Sequence, residues 1–269
     1  MIPNVLTIAG VDPSGGAGIL ADVKAFSALG TYGCAVITAL TAQNTRTVSD
    51  IFPIAPAFIA EQINTLFSDV RIDALKIGML GHSDIITTVA DRLRHWKPEH
   101  IVLDPVMVAK SGDRLLQQEA INALRTQLIP LASVITPNLP EAGVLLDCRP
   151  AETVAEMRKM AEQLRQLQPD DDSRWVFLKG GHLPGDDVID VLYNGSEMVE
   201  LPGKRIPTKN THGTGCTLAA ALAALLPQKP DFITAAKQAK QYLLVAIQES
   251  GKLAVGEGHG PVHHFHQQW

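Results

Sequence analysis

Residues 5–10, VLTIAG, and 34–40, CAVITAL, are short apolar runs rich in β-branched side chains, and neither alternates apolar with polar. A strand wet on one face would alternate, so these runs suit strands covered on both faces. The pattern recurs at ALKIGM (74–79), HIVLDPV (100–106), SVITPN (133–138) and WVFLKGG (175–181). Between the runs lie stretches with apolar residues at helical spacing: AEQINTLFSDV (60–70), IITTVADRLRHW (85–96), AINALRTQLIPL (120–131) and VAEMRKMAEQLRQL (154–167). Strand and helix in turn predict an α/β fold, a doubly wound and largely parallel sheet flanked by helices. One domain over residues 1–269 is the expectation. DVLYNGSEMVELPG (190–203) changes the rhythm, and Asn194-Gly195 between two alternating runs predicts a small antiparallel edge element.

Composition narrows the function classes. Hydrophobic residues make up 46% and charged residues 19%, which is ordinary for a globular chain. Lys and Arg number 23 against 28 Asp and Glu, a net charge of −5 without a basic block, so no nucleic-acid partner is expected. The leading MIPNVLTIAG has no basic leader, and no apolar stretch approaches the roughly 20 residues of a membrane span. Cys34, Cys148 and Cys216 are odd in number and far apart, which points to a reducing, cytoplasmic setting rather than a disulfide framework.

Open parallel sheets bind ligands beyond the carboxyl ends of their strands. The polar residues ending the runs are Asp12, Gln43 with Asn44, Met79, Asp104, Asn138 with Glu141, and Lys179. These are expected to converge. No GxxxxGK[ST] is present, and Ala21 and Leu218 stand where GGAGILA and GTGCTLA would need a last glycine for GxGxxG. A Walker-type ATPase and a standard dinucleotide fold therefore lose support.

TKNTHGTGCTLA (208–219) leads into a small-residue helix. Gly213 and Gly215 permit a tight turn, and the helix start offers unpaired N–H groups to an anion; a tight loop feeding a close-packed helix is the plainer reading. A thiol at a helix N-terminus is expected below the free value of about 8.5. Cys216 can serve as a nucleophile, as a base for a substrate hydroxyl, or as a small packing residue. The nucleophile reading needs an imidazole, and His212 is four residues away.

In TPNLPEA (136–142), Asn138 and Glu141 have capping-box spacing; the functional alternative has Glu141, directly or through water, helping to hold Mg²⁺ beside nucleotide phosphates. Lys179 before Gly180-Gly181 is either a phosphate contact or a solvated turn lysine. Asp104 is open to ligand contact, Mg²⁺ association or structural hydrogen bonding. The tail GHGPVHHFHQQW lacks helical ligand spacing for zinc, and QPDDDSR (168–174) reads as a solvated loop. VMVAKSG (106–112) and the hairpin near Asn194 are candidate covers.

Taken together, IAGVDPSGGAGILADVKAFSALGTYGCAVITALTAQNT (8–45), KIGML, LDPVMVAKSG, ITPNLPEA, LKGGH, NTHGTGCTLAAALAA and GPVHHF resemble the hydroxymethylpyrimidine/phosphomethylpyrimidine kinases of thiamine biosynthesis, in the ribokinase-like superfamily. The match runs in order over essentially the whole chain. The resemblance implies ATP-dependent phosphorylation of 4-amino-5-hydroxymethyl-2-methylpyrimidine and then of its monophosphate. It implies that Gln43 holds the pyrimidine, with Gly10, Asp12 and Met79 lining the site. Gly213, Thr214, Gly215 and Cys216 would form the anion hole, with Lys179, Asn138 and Thr211 toward phosphate, and Glu141 and Asp104 toward Mg²⁺. A homodimer is also implied. Many sugar kinases of the superfamily carry Asp where this chain has Cys216, and the cysteine agrees with the hydroxymethylpyrimidine branch. A pyridoxal or pyridoxine kinase, a non-catalytic nucleotide or pyrimidine-binding regulator, and a cysteine-dependent acyl-transfer enzyme are the rival readings.

Overall fold

The computed structural model describes residues 1–107 and 118–269. Its elements in chain order are β1 (Asn4–Val11), α1 (Gly18–Ala28), β2 (Tyr32–Gln43), β3 (Val48–Pro53), α2 (Pro56–Phe67), β4 (Ala74–Ile77), α3 (Ser83–Trp96), β5 (Ile101–Leu103), α4 (Gln118–Ala123), β6 (Val134–Ile135), α5 (Leu139–Leu146), α6 (Val154–Arg165), β7 (Trp175–Leu178), β8 (Asp190–Tyr193), β9 (Met198–Leu201), α7 (Thr214–Leu225) and α8 (Phe232–Gln248). The described strands form one nine-stranded sheet in the order β3-β2-β1-β4-β5-β6-β7-β8-β9. Neighbours from β2 through β7 pair parallel, while β3, β8 and β9 pair antiparallel with their neighbours.

Both faces are covered, which is why the inner strands carry continuous apolar runs. One core joins sheet residues such as Leu6, Ile8, Leu75 and Ile77 to Ile59 and Ile63 of α2, Val89 and Leu93 of α3, and Met157 and Leu164 of α6. On the other face, Val5, Val102 and Phe177 meet Phe26 of α1, the alanines of α7 and Ala235, Ala236 and Ala239 of α8. Five alanines of α7, at positions 219, 220, 221, 223 and 224, are fully buried. Their small side chains let this helix lie close to the strands and to α1, so its first turn is held rigidly at the sheet's carboxyl edge. Local signals set several helix starts: the Thr153 hydroxyl accepts from the Glu156 N–H at 3.2 Å, and the Asp231 carboxylate from the Thr234 N–H at 2.7 Å.

Two expectations need correction, and one strand was not anticipated. Strand β3 escaped prediction because VSDIFP is an edge strand, mostly exposed and without an apolar face to announce it. The AINALRTQLIPL stretch is α-helical only to Ala123; a π-helical turn follows at Leu124–Leu128 and a 3-10 turn at Ile129–Leu131, where Pro130 lacks the N–H an α-helix would use. The hairpin near Asn194 cannot cover the site. Tyr193 pairs with Val176 and Val191 with Leu178, so the turn lies at the amino end of β7, opposite the edge from which Lys179 emerges. The other candidate cover, VMVAKSG, lies outside the described residues from position 108 onward.

Candidate active site

A cavity of about 500 Å³ opens at the carboxyl ends of the parallel strands, and its walls include Gly10, Asp12, Gln43, Met79, Asp104, Asn138, Glu141, Lys179, Thr211, Gly213, Thr214, Gly215 and Cys216. The strand-end residues singled out in the sequence do converge, apart from Asn44, which is exposed.

Two glycine loops build one wall. After β1, Asp12 organises the loop into α1: one carboxylate oxygen accepts from the Ser14 N–H (2.8 Å) and hydroxyl (2.7 Å), the other from the Ala17 N–H (2.9 Å). That second oxygen also meets His212 Nε2 at 2.7 Å, which ties this loop to the one before α7. Burial alone would raise the Asp12 pKa; the hydrogen bonds from His212 and Ser14 outweigh it and hold the carboxyl below its ordinary value. Close backbone approach explains Gly213: it sits at φ +75°, and a Cβ there would collide with the Gly16 carbonyl. His212 is thus committed to Asp12, and the imidazole that a cysteine nucleophile would need is engaged elsewhere.

Cys216 is the third residue of α7 and lines the cavity with Gly18, at the start of α1. Beneath it stands a charged pair that the sequence reading passed over. Lys76 on β4 and Asp22 on α1 have no exposed side-chain surface, and Lys76 Nζ lies 2.8 Å from Asp22 Oδ2, which also accepts from the Thr7 hydroxyl at 2.6 Å. Burial alone would strip the Lys76 proton, but the charges of Asp22, Cys216 and Asp104 outweigh it and push the pKa up, so the residue is a cation. The expectation of a lowered Cys216 pKa is overturned. Burial pushes the thiol up and Asp22 and Asp104 add to the rise, more than Lys76 and the Gly18 N–H pull it down. The helix terminus is present, yet desolvation of a thiolate wins. A sequence signal for the pair existed: a lysine inside ALKIGM, and an aspartate sharing a helix face with Ile19, Ala25 and Phe26.

The opposite wall carries the second charged group. Lys179 Nζ lies 2.9 Å from Asp104 Oδ1 and 3.9 Å from Glu141 Oε2. Asp104 Oδ1 also accepts from the Thr136 hydroxyl at 3.0 Å. Asn138 and Glu141 form the capping box of α5: the Asn138 side chain accepts from the Glu141 N–H (2.9 Å), and the Asn138 N–H donates to Glu141 Oε2 (2.8 Å). The capping role is therefore real, and the same carboxylate oxygen also faces Lys179. Burial, reinforced by the charge of Asp104, pushes Glu141 up to about 7 despite the pull of Lys179 and the Asn138 N–H. Gly215 stands across from this group, where a Cβ would come within 3.3 Å of Lys179 Nζ and 3.6 Å of Asp104 Oδ2.

The remaining wall is less polar. A Cβ on Gly10 would meet the Met79 methyl at 2.6 Å, so the glycine leaves room for that side chain. Gln43 ends β2, and its Oε1 accepts from the Thr41 hydroxyl at 3.2 Å. Val48 and Ile51 of the unpredicted β3 complete the wall. Toward the C-terminus, His264 Nε2 lies 3.0 Å from the Thr217 hydroxyl and the His263 N–H donates to the Ala246 carbonyl, so these histidines brace α7 and α8.

The profile of the phosphomethylpyrimidine kinase family matches residues 12–263. The hydroxymethylpyrimidine/phosphomethylpyrimidine kinase of Escherichia coli K12 is 52% identical over 266 residues, covering 99% of this chain and 98% of that one. Among solved structures, the phosphomethylpyrimidine kinase of Clostridium difficile 630 superposes with a TM-score of 0.80 at 40% identity, over 91% of this chain and 99% of that one. The Bacillus subtilis pyridoxal kinase, solved as an ADP complex, reaches 0.89 at 35% identity over 100% and 99%.

Proposed function

The chain belongs to the phosphomethylpyrimidine kinase family, and on that basis we propose that it phosphorylates hydroxymethylpyrimidine and then its monophosphate with ATP, as a kinase of thiamine biosynthesis. The observation that carries the reading is a single cavity joining a partly apolar slot at Gly10, Met79 and Gln43 to the loop Gly213–Cys216, with Lys179 across from that loop. Phosphoryl transfer asks mainly for positioning and charge stabilisation. The pyrimidine rests against Met79 with its polar edge toward Gln43, so that its hydroxymethyl oxygen approaches Cys216. First-turn N–H groups of α7 and the Lys179 cation face the transferring phosphoryl group. In the second phosphorylation the acceptor is already an anion, and a base is scarcely needed.

Asp104 and Glu141 give two carboxylates to one lysine, a hard oxygen set with one negative charge in excess. That set fits Mg²⁺, which takes one or two carboxylates and fills its remaining positions with phosphate oxygens and water. When bound, the ion would neutralise phosphate charge. Thr211 and Asn138 lie beside the phosphate path, and Thr214 begins the helix that closes it.

We propose the cytoplasm as its setting, which the three free cysteines support. A second copy is proposed as partner of the β3 edge, because Leu40, Ile51, Phe52 and Phe58 are all exposed there. Light scattering on Phe52→Glu tests this: a wild-type dimer turned monomer supports it, and a monomeric wild type rejects it. For the activity, the protein is incubated with MgATP and, separately, hydroxymethylpyrimidine, its monophosphate and pyridoxal. Mono- and diphosphate products are expected. Turnover of pyridoxal alone would move the chain to the vitamin B6 kinases, and ATP binding without any product would make it a regulator.

A further inference from the structure

Asp12 and His212, 200 residues apart, join the two glycine loops that make one wall of the cavity. A carboxylate only accepts, so His212 Nε2 is the donor in the 2.7 Å bond to Asp12 Oδ2. The loops are also fitted to each other. A Cβ on Gly16 would run into the His212 ring, and a Cβ on Gly213 into the Gly16 carbonyl. On its backbone side, the His212 N–H donates to the Gly260 carbonyl at 3.0 Å, beside a parallel bridge to Pro261. Asp12 does not depend on this partner, because two bonds from Ser14 and one from the Ala17 N–H would remain without it. The needs of the carboxylate therefore explain the histidine poorly. What the bond does fix is where α7 begins. Thr217 closes a full helical bond, its N–H donating to the Gly213 carbonyl at 2.8 Å, and the N–H groups ahead of it are the donors left to a phosphoryl group. They follow His212 and Gly213 directly in the chain, and a misplacement of about 1 Å can cost about 10²-fold in rate.

We infer that His212 is a positioning residue: it locks the Gly213–Cys216 loop to the loop between β1 and α1, and so aims the first-turn N–H groups of α7 at the transferring phosphoryl group. The inference rests on the proposed phosphoryl transfer, and on no particular acceptor. His212 borders the cavity, but its Nε2 is taken by Asp12, so it acts through the backbone of Gly213 rather than on the substrate. Both phosphorylations use the same backbone donors. Both should therefore depend on His212 alike, whereas Cys216 matters to the first.

His212→Ala is expected to lower kcat of both phosphorylations about 10- to 100-fold, with the acceptor KM within about threefold of wild type. A residue that held the acceptor would raise KM instead. His212→Gln offers an amide donor at the reach of Nε2 and should keep kcat within about threefold of wild type. The fit of the loops gives an independent handle. Gly16→Ala keeps every polar group but displaces the imidazole, so alone it should lower kcat about tenfold or more; added to His212→Ala, where the ring is gone, it should cost less than about threefold. An alanine variant with kcat within about threefold of wild type overturns the inference. So do a loss carried by KM alone, a glutamine variant no better than the alanine one, and full additivity of Gly16→Ala with His212→Ala. Should His212→Ala fail to fold, Gly16→Ala and His212→Gln decide by the same criteria. Titration calorimetry separates the lock from the proposed function. A non-hydrolysable imido analogue of ATP should bind His212→Ala about tenfold more weakly than wild type, and ADP within about threefold, whatever the acceptor. Unchanged analogue binding overturns the inference. A wild type that phosphorylates no acceptor, while the analogue still tells the two proteins apart, removes the proposed function and keeps the lock.

Discussion

Two of the buried charged groups that flank the cavity differ in balance. Asp22 and Lys76 are one to one and sealed, with no side-chain exposure on either. Asp104, Glu141 and Lys179 are two to one, and they keep a margin of access, Lys179 being 13% exposed. The sealed pair has its counter-ion built in, and its remaining contact is the Thr7 hydroxyl on Asp22 Oδ2. The open triad is one positive charge short, and burial, reinforced by the charge of Asp104, drives Glu141 up to about 7. Neutrality marks the sealed group, and imbalance marks the open one.

The comparison can be broken most forcefully at the sealed pair. Lys76→Ala strands a buried carboxylate, and chemical denaturation should show a loss of about 3 to 5 kcal/mol, the usual result of removing one partner of a buried pair. A loss below 1 kcal/mol would mean that the pair is not sealed. At the open triad the same truncation should act on turnover. Lys179→Ala is expected to lower kcat of both phosphorylations about 10²- to 10³-fold, as for one preorganised donor, with a smaller loss of stability than Lys76→Ala because Lys179 is 13% exposed to the cavity. Equal loss of stability in both lysine variants would erase the distinction. Between the groups, Cys216→Ala should lower the first phosphorylation about 10- to 100-fold and the second less than about threefold, measured with the two acceptors separately. Equal losses in both steps, or no loss in either, would reject the base role of Cys216.

The last test concerns pH. The unfolded chain releases the Glu141 proton near 4.3, whereas the folded protein holds it to about 7. This stabilising contribution is complete below the lower value and is lost as pH rises through the higher one. Without Mg²⁺, the melting temperature of Glu141→Gln should therefore fall less than wild type between about pH 5 and 8. The glutamine can still accept the Asn138 N–H, so the helix cap is preserved. Parallel curves for the two proteins would remove Glu141 as the titrating group of the triad.

Much of this was readable from residue order. The apolar runs at Val5, Cys34, Ala74, His100, Ser133 and Trp175 all contain observed strands, and the strand-end rule brought Asp12, Gln43, Met79, Asp104, Glu141 and Lys179 to one cavity. The GTGC loop does open α7. What escaped were features without a periodic signature. The β3 wall is a short exposed strand whose partner alone defines it, and Lys76 looked like an ordinary member of an apolar run. The state of Cys216 was misjudged because helix position is a local property and desolvation is not.

The sequence by itself determined the layer order of the fold and the family, since strand and helix periods and contiguous motifs are properties of neighbours along the chain. Only the tertiary structure decided that His212 locks onto Asp12 and that Glu141 serves both a helix cap and a charged triad. It also decided that Lys76 and Asp22, 54 residues apart, close a salt bridge under a thiol. The physical reason is that charge energies depend on distance and burial in space, and a linear chain encodes neither until the sheet brings its strand ends together.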